Sequence, residues 1–149
     1  MIQLIIVSDG FSHFEKVINE YIKRLNKLKI IKIKSEKSTE KARIISEETK
    51  SIKQILEKEK GYNIYLDILG ESLSSLEFHN TIEKLFLHNP KINIIIGGAY
   101  GVDYKILNPL INKKLSLSKM TFPHSMSLLI ILEQIYRIEN IKKNTGYHH

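Results

Sequence analysis

The chemistry this 149-residue chain can do is limited first by its residue types: six histidines, seven glycines and no cysteine. The missing cysteines remove disulfides, thiolate zinc sites, iron–sulfur clusters and cysteine nucleophiles together. The glycines cluster once, at Gly97-Gly98-Ala99-Tyr100-Gly101, directly after the apolar run Ile92-Asn93-Ile94-Ile95-Ile96. A glycine there lets the backbone approach a ligand closely, because it has no Cβ in the way. The spacing is neither the G-x-G-x-x-G dinucleotide fingerprint nor a P-loop, since no Gly-Lys-Ser/Thr follows. On spacing alone, a strand-to-helix turn needing a positive φ is the better account.

None of the histidines has a metal-binding spacing, so no metal is expected. His13, His79 and His88 sit in or beside helical patterns without acidic or histidine partners at useful offsets. His124 follows Pro123 at the start of the last helix, where it either bonds a ligand or is an ordinary first-turn residue. His148 and His149 end the chain, and by position alone Asn144 to His149 reads as an expendable tail. Glu133 and Arg137 stand four apart in the favourable order for an intrahelical ion pair. No Ser/His/Asp arrangement or carboxylate pair stands out.

The elements that must position these residues alternate between strand and helix. Ile2 to Val7 reads as a buried strand ended by Ser8-Asp9-Gly10, and Phe14 to Leu28 carries helical spacing. Leu28 to Ile33 alternates apolar residues with lysine, as an edge strand protected by its charges would. Residues 35–43 read as loop, followed by a charged helix to about Lys60. Tyr62, Ile64, Leu66 and Ile68 make a third strand ending at Leu69-Gly70. Ser74-Ser75-Leu76-Glu77 starts a helix that stops near Asn89-Pro90. After the glycine cluster come a helix from Tyr104 to Asn112, a strand from Leu115 to Met120 and a last helix from Thr121 to about Ile141. That helix is apolar on every side from Leu128 to Leu132, so it needs cover on more than one side. The alternation predicts an α/β fold with a mostly parallel sheet. The ligand site of such a sheet lies outside the carboxyl ends of its strands, at Leu66–Gly70, Gly97–Gly101 and Leu115–Phe122.

With 42% apolar and 26% charged residues the chain is globular in composition. Its amino-terminal apolar run is too short for a secretory signal or a membrane span, which makes the cytoplasm the default location. The net charge of +7 is concentrated. Residues 23–43 hold nine Lys/Arg against Glu36 and Glu40, while the remainder balances at fourteen of each sign. Such a cluster is either the footprint of a phosphate-backbone partner or a solvated lysine-rich surface.

The second half carries a more specific pattern. Ile94-Ile95-Ile96-Gly97-Gly98-x-x-Gly101, then Leu115-Ser116-Leu117-Ser118-Lys119-Met120-Thr121-Phe122-Pro123-His124, then Glu133-Gln134-Ile135-Tyr136-Arg137, and finally Gly146-Tyr147-His148 occur in this order. Tyr65-Leu66-Asp67-Ile68 and Ser74-Ser75-Leu76-Glu77-Phe78 precede them. Together they closely resemble the bacterial ribosomal RNA large subunit methyltransferase H family, of the SPOUT class. The resemblance implies one domain over residues 1–149, an α/β fold with a C-terminal deep trefoil knot, which periodicity cannot supply. It implies S-adenosylmethionine as methyl donor, bound through backbone groups at Leu66, Gly97, Leu117, Ser118, Lys119, Met120, Thr121 and Phe122. It further implies an obligate homodimer, in keeping with the apolar helix. The substrate it implies is N3 of a pseudouridine in large-subunit (23S) ribosomal RNA, methylated on assembled ribosomes. Three departures stand out: Leu128 replaces a usual arginine, Gly146 a usual alanine or proline, and Ser8-Asp9-Gly10 a usual Gly-Lys turn.

Transfer of a methyl group to a ring nitrogen needs alignment, exclusion of water and removal of the N–H proton. Histidine titrates nearest neutral pH, which singles out His124 and His148. Tyr147 is expected to stack on or hydrogen-bond the target base, and Arg137 to hold a phosphate or the developing anion. The rival reading is a non-catalytic RNA- or ribosome-binding protein that kept the fold. A generic nucleotide-binding α/β protein is a third.

Overall fold

The structure is a computed structural model, and residues 1–143 are described. Tyr147 and His148, expected near the methyl donor, therefore lie outside the described residues.

Five strands form one sheet: β1 (Ile2–Val7), β2 (Leu28–Ile33), β3 (Tyr62–Ser72), β4 (Ile92–Ile96) and β5 (Lys113–Ser116). All pair in parallel in the order β2-β1-β4-β3-β5. The helices are α1 (Glu15–Arg24), α2 (Lys41–Lys58), α3 (Ser75–Phe86), α4 (Tyr104–Leu107) and α5 (His124–Lys142). Every residue of β1 and β4 is buried, as central parallel strands covered on both faces require. Alternation sorts their side chains. Leu4, Ile6, Ile64, Ile92, Ile94 and Ile96 meet α1, α3 and α5 on one face, and Ile5, Val7, Tyr65 and Ile95 meet α2 and α4 on the other.

A polar row crosses this apolar sheet. Gln3, Asn93 and Asn63 are register partners on β1, β4 and β3. Gln3 Nε2 donates to Asn93 Oδ1 at 3.2 Å, and Asn93 Nδ2 donates to Asn63 Oδ1 at 2.8 Å. A one-residue slip would leave these amides unpaired in the core, at about 1–3 kcal/mol for each lost partner, so the row helps fix the register. Beside it, Glu59 ends α2 and accepts from Lys29 on β2 and Lys91 before β4, which draws its carboxyl down to about 2.

Several boundaries differ from expectation for identifiable reasons. β5 ends at Ser116 rather than Met120. Ser116 Oγ donates to the Ser118 carbonyl and the Met120 N–H donates to Ser118 Oγ, so side chains replace the strand ladder. The helix expected to Asn112 stops at Leu107 and tightens into a 3-10 turn, Asn108–Leu110, where Pro109 cannot donate. β3 runs on to Ser72, with an irregularity between Leu66 and Glu71 where it pairs with β5. α2 starts at Lys41, inside the expected loop. Ser74 and Glu77 form a reciprocal capping box on α3, and β2 is an edge strand with Lys29 and Lys32 exposed.

The apolar stretch of α5 finds most of its cover inside the chain. Leu128, Ile131 and Leu132 are buried in the main core, while Leu129 and Ile130 are half-buried. The leucine at 128 is a core packing residue in this chain, with no exposure at all.

Candidate active site

Three segments converge on one cleft of about 310 Å³ at the carboxyl ends of β3, β4 and β5. The excursion of β3 around residues 67–70 supplies Leu66, Asp67 and Ile68. The glycine turn after β4 supplies Gly97, Gly98, Ala99 and Gly101, and the irregular loop after β5 supplies Leu117, Ser118, Met120, Thr121 and Phe122. His124 and Ser127 on the first turn of α5 close one side. Of the donor-binding residues expected from the resemblance, Leu66, Gly97, Leu117, Ser118, Met120, Thr121 and Phe122 line this cleft. The exposed Lys119 does not.

The glycines divide the work. Gly101 holds φ +76 and its N–H donates to the Gly98 carbonyl at 3.0 Å, so the expected positive-φ turn is real there. At Gly97 the constraint is instead a close neighbour. A Cβ on it would fall 2.6 Å from the hydroxyl oxygen of the buried Tyr65.

Aromatic and charged groups to which the motifs gave no role stand in and beside the cleft. Tyr104 Oη donates to Asp67 Oδ2 at 3.0 Å, and its ring meets Tyr65 edge-on at 6.1 Å. Lys114 lies 4.3 Å from the Tyr104 ring centroid and 3.8 Å from the Asp67 carboxylate. Burial pushes both phenols up, so they stay protonated. Burial pulls His124 down from its ordinary value, so its imidazole is neutral at pH 7 and able to accept a proton. Asp67 stood in the sequence at an alternating strand position. Alternation puts it on the same face as Tyr65, where both meet Tyr104.

Arg137 is elsewhere. It lies thirteen residues beyond His124 on α5, about 20 Å along a helix rising 1.5 Å per residue. It pairs with Glu133 at 2.6 Å, the expected (i, i+4) arrangement. All nine basic residues of the 23–43 segment are exposed. Lys34, Lys37, Lys41 and Arg43 follow the carboxyl end of β2, and Lys41 Nζ stands 5.6 Å from the ring centroid of Tyr100 in the glycine turn. No cluster of potential metal ligands occurs among the described residues, and no helix there is long and apolar enough to cross a membrane.

An open, all-parallel α/β sheet with a glycine turn and a helix-capping loop meeting over its strand ends defines a ligand-binding α/β protein of the kind many transferases use. The sequence matches the family described as "Predicted SPOUT methyltransferase" over residues 1–148, and the chain belongs to that family. It is 42% identical over 156 aligned positions to a protein of Dictyoglomus thermophilum named ribosomal RNA large subunit methyltransferase H, covering 99% of each chain. Proteins of the same name from Malacoplasma penetrans and Clostridium acetobutylicum are 39% and 37% identical. Those alignments cover 89% of this chain and 88% of the first, and 91% of this chain and of the second.

Proposed function

We propose that this chain transfers a methyl group from S-adenosylmethionine to large-subunit ribosomal RNA, at N3 of a pseudouridine and on assembled ribosomes. The observation that carries the reading is the convergence of Leu66, Gly97 and the 117–122 loop on one cleft with a neutral His124 at its rim. The names of the relatives supply the substrate class.

The lining suits the donor. The glycine turn with Leu117, Ser118, Thr121 and Phe122 lines a cleft at the lower end of the size range for small-molecule sites, with apolar walls for a nucleoside and a carboxylate, Asp67, for a cation. S-adenosylmethionine supplies the methyl group when bound. Phe122 and Met120 exclude water, and His124 accepts the N3 proton of the base. Tyr147 positions the base, and His148 is the second candidate for the proton.

A homodimer completes this site, because Arg137 is too far along α5 to serve the cleft of its own chain. Half-buried Leu129 and Ile130, with the exposed Leu69, Leu76 and Met120, are the apolar surface available for it. The return path of the chain supports a knot: from β5 at one edge the chain loops back past Gly97, and α5 packs on α1, β1 and β4.

Calorimetric titration with S-adenosylmethionine, followed by tritiated-methyl transfer to ribosomes lacking the modification, tests the proposal. No donor binding sinks it. Donor binding without transfer favours the second reading, a non-catalytic ribosome-binding protein, which the core leucine at 128 favours. Truncation after Lys143 with retained turnover would remove Tyr147 and His148 from the mechanism.

A further inference from the structure

Glu48 is the most unusual buried side chain outside the cleft lining. It lies on α2 with 3% of its surface exposed. The Glu36 N–H donates to its Oε1 at 3.1 Å, while Oε2 has no hydrogen-bond partner among the described residues, and no cation among them pairs with the carboxyl group. Burial, helped by the nearby acidic Glu36 and Asp9 and opposed by the Glu36 N–H bond, pushes its carboxyl above the ordinary range. A buried polar atom left unpaired has a cost, and its persistence calls for a reason.

The geometry supplies one. A Cβ added to Gly98 would fall 1.9 Å from Glu48 Oε2 and 2.9 Å from its Cδ, so the carboxyl group lies directly against the backbone of the glycine turn. The next residue, Thr49, is fully buried, and its Oγ1 accepts from the Asp103 N–H at 2.8 Å. Two consecutive residues of α2 thus hold the start and the end of the segment from Gly98 to Asp103. The same Glu48 carboxyl pins the segment following β2 through Glu36. Gly97, Gly98 and Gly101 carry no side chain to anchor the turn, and Glu48 packs beneath it at Gly98.

We propose that Glu48 is a positioning residue for the donor cleft: its carboxyl group, packed under Gly98 and bonded to the Glu36 N–H, sets where the Gly97–Gly101 turn sits. The inference rests on the donor reading above and adds a residue that does not line the cleft. The size and acceptor oxygen of the group do the positioning. Glu48→Gln keeps both and should bind S-adenosylmethionine within about threefold of the wild type. Glu48→Asp, one methylene shorter, should lose several-fold, and Glu48→Ala about tenfold or more.

The test is calorimetry with S-adenosylmethionine and S-adenosylhomocysteine, alongside thermal melting of the same samples. Gly98→Ala alone should lose both stability and donor affinity. In the Glu48→Ala background the same change should cost little more, because the new methyl group enters vacated space. A lowered melting temperature with unchanged affinity in Glu48→Asp and Glu48→Ala would make Glu48 a fold residue only and overturn the inference. Losses that multiply independently, or a glutamine variant as weak as the alanine one, would overturn it equally. If the wild type binds neither ligand, the donor reading fails instead, and the melting-temperature cycle still reads the Glu48–Gly98 contact by itself.

Discussion

At the scale of single residues, Gly97 and His124 make the sharpest claims. Gly97 is glycine because Tyr65 stands 2.6 Å from where its Cβ would be. Gly97→Ala should therefore cost about 1–3 kcal/mol by overpacking, a melting shift of a few degrees for a chain this size. Tyr65→Phe in the same chain removes the contacting oxygen and should recover most of that stability. Donor affinity in the double variant then isolates the ligand's share of the glycine requirement. A calorimetric loss is expected, since the backbone of Gly97 also lines the cleft. At His124, burial favours the neutral ring. Methyl transfer should stay flat as pH falls through the ordinary histidine range and decline only below it. An imidazole raised above that range would instead lose activity already near pH 7. His124→Ala should lower turnover about 10²-fold or more if this ring takes the proton.

At the scale of elements, α5 can be read face by face. Ile131 lies in the protomer's own core, so Ile131→Glu buries a charge and should give no folded protein. Ile130 is half-buried beside the start of α3, so under the proposed homodimer Ile130→Glu should fold and sediment as a monomer where the wild type sediments as a dimer. A folded Ile130→Glu that remained dimeric would place the interface elsewhere. Glu59 makes a second claim for elements, because it ties α2 to β2 and β4. Its carboxyl is held near 2, below its ordinary value, by Lys91 and Lys29. The stability it contributes is therefore present above about pH 4.5 and is lost as pH falls towards 2. Melting temperatures over that window should fall less steeply in Glu59→Gln than in the wild type.

Elements carried by local signals were legible in the sequence. The apolar runs of β1 and β4, the lysine-studded edge of β2 and the Ser74–Glu77 box of α3 each depend on neighbouring residues alone. The end of β5 was not, because Ser116 and Ser118 satisfy the backbone with their hydroxyls, and serine is compatible with either outcome. In the site, the glycine turn and the 117–122 loop were visible as a pattern. The roles of Tyr65, Asp67, Tyr104 and Glu48 were not, although Tyr65 and Asp67 stood in that pattern, since each acquires its meaning from a partner 32 to 50 residues away (Gly97, Tyr104, Asp67 and Gly98), and no periodicity encodes such pairings.

At the scale of the whole molecule, the distribution of charge should govern encounter with RNA. Lys32, Lys34 and Lys37 are exposed, and among the described residues Lys32 alone of the three touches a ring, that of Phe11 at 4.1 Å. Reversing all three charges should weaken ribosome binding at least tenfold at low salt, flatten its salt dependence and leave donor affinity unchanged. Equal ribosome binding in wild type and triple variant would assign the segment to solubility.

The strand order also has a consequence in time. β4 occupies the slot between β1 and β3, and some 85 residues separate β1 from β4 along the chain. Chains are synthesised at roughly 5–20 residues per second, so β1 waits about 4–17 s with one edge of its backbone unpaired. β2 reaches its place several times sooner and can cover only the other edge. During synthesis the growing chain therefore carries Ile2 to Val7 as an open, aggregation-prone strand. Shielding it over those seconds is a task for whatever binds the nascent chain, and slowing translation ahead of residue 92 would lengthen the exposure in direct proportion.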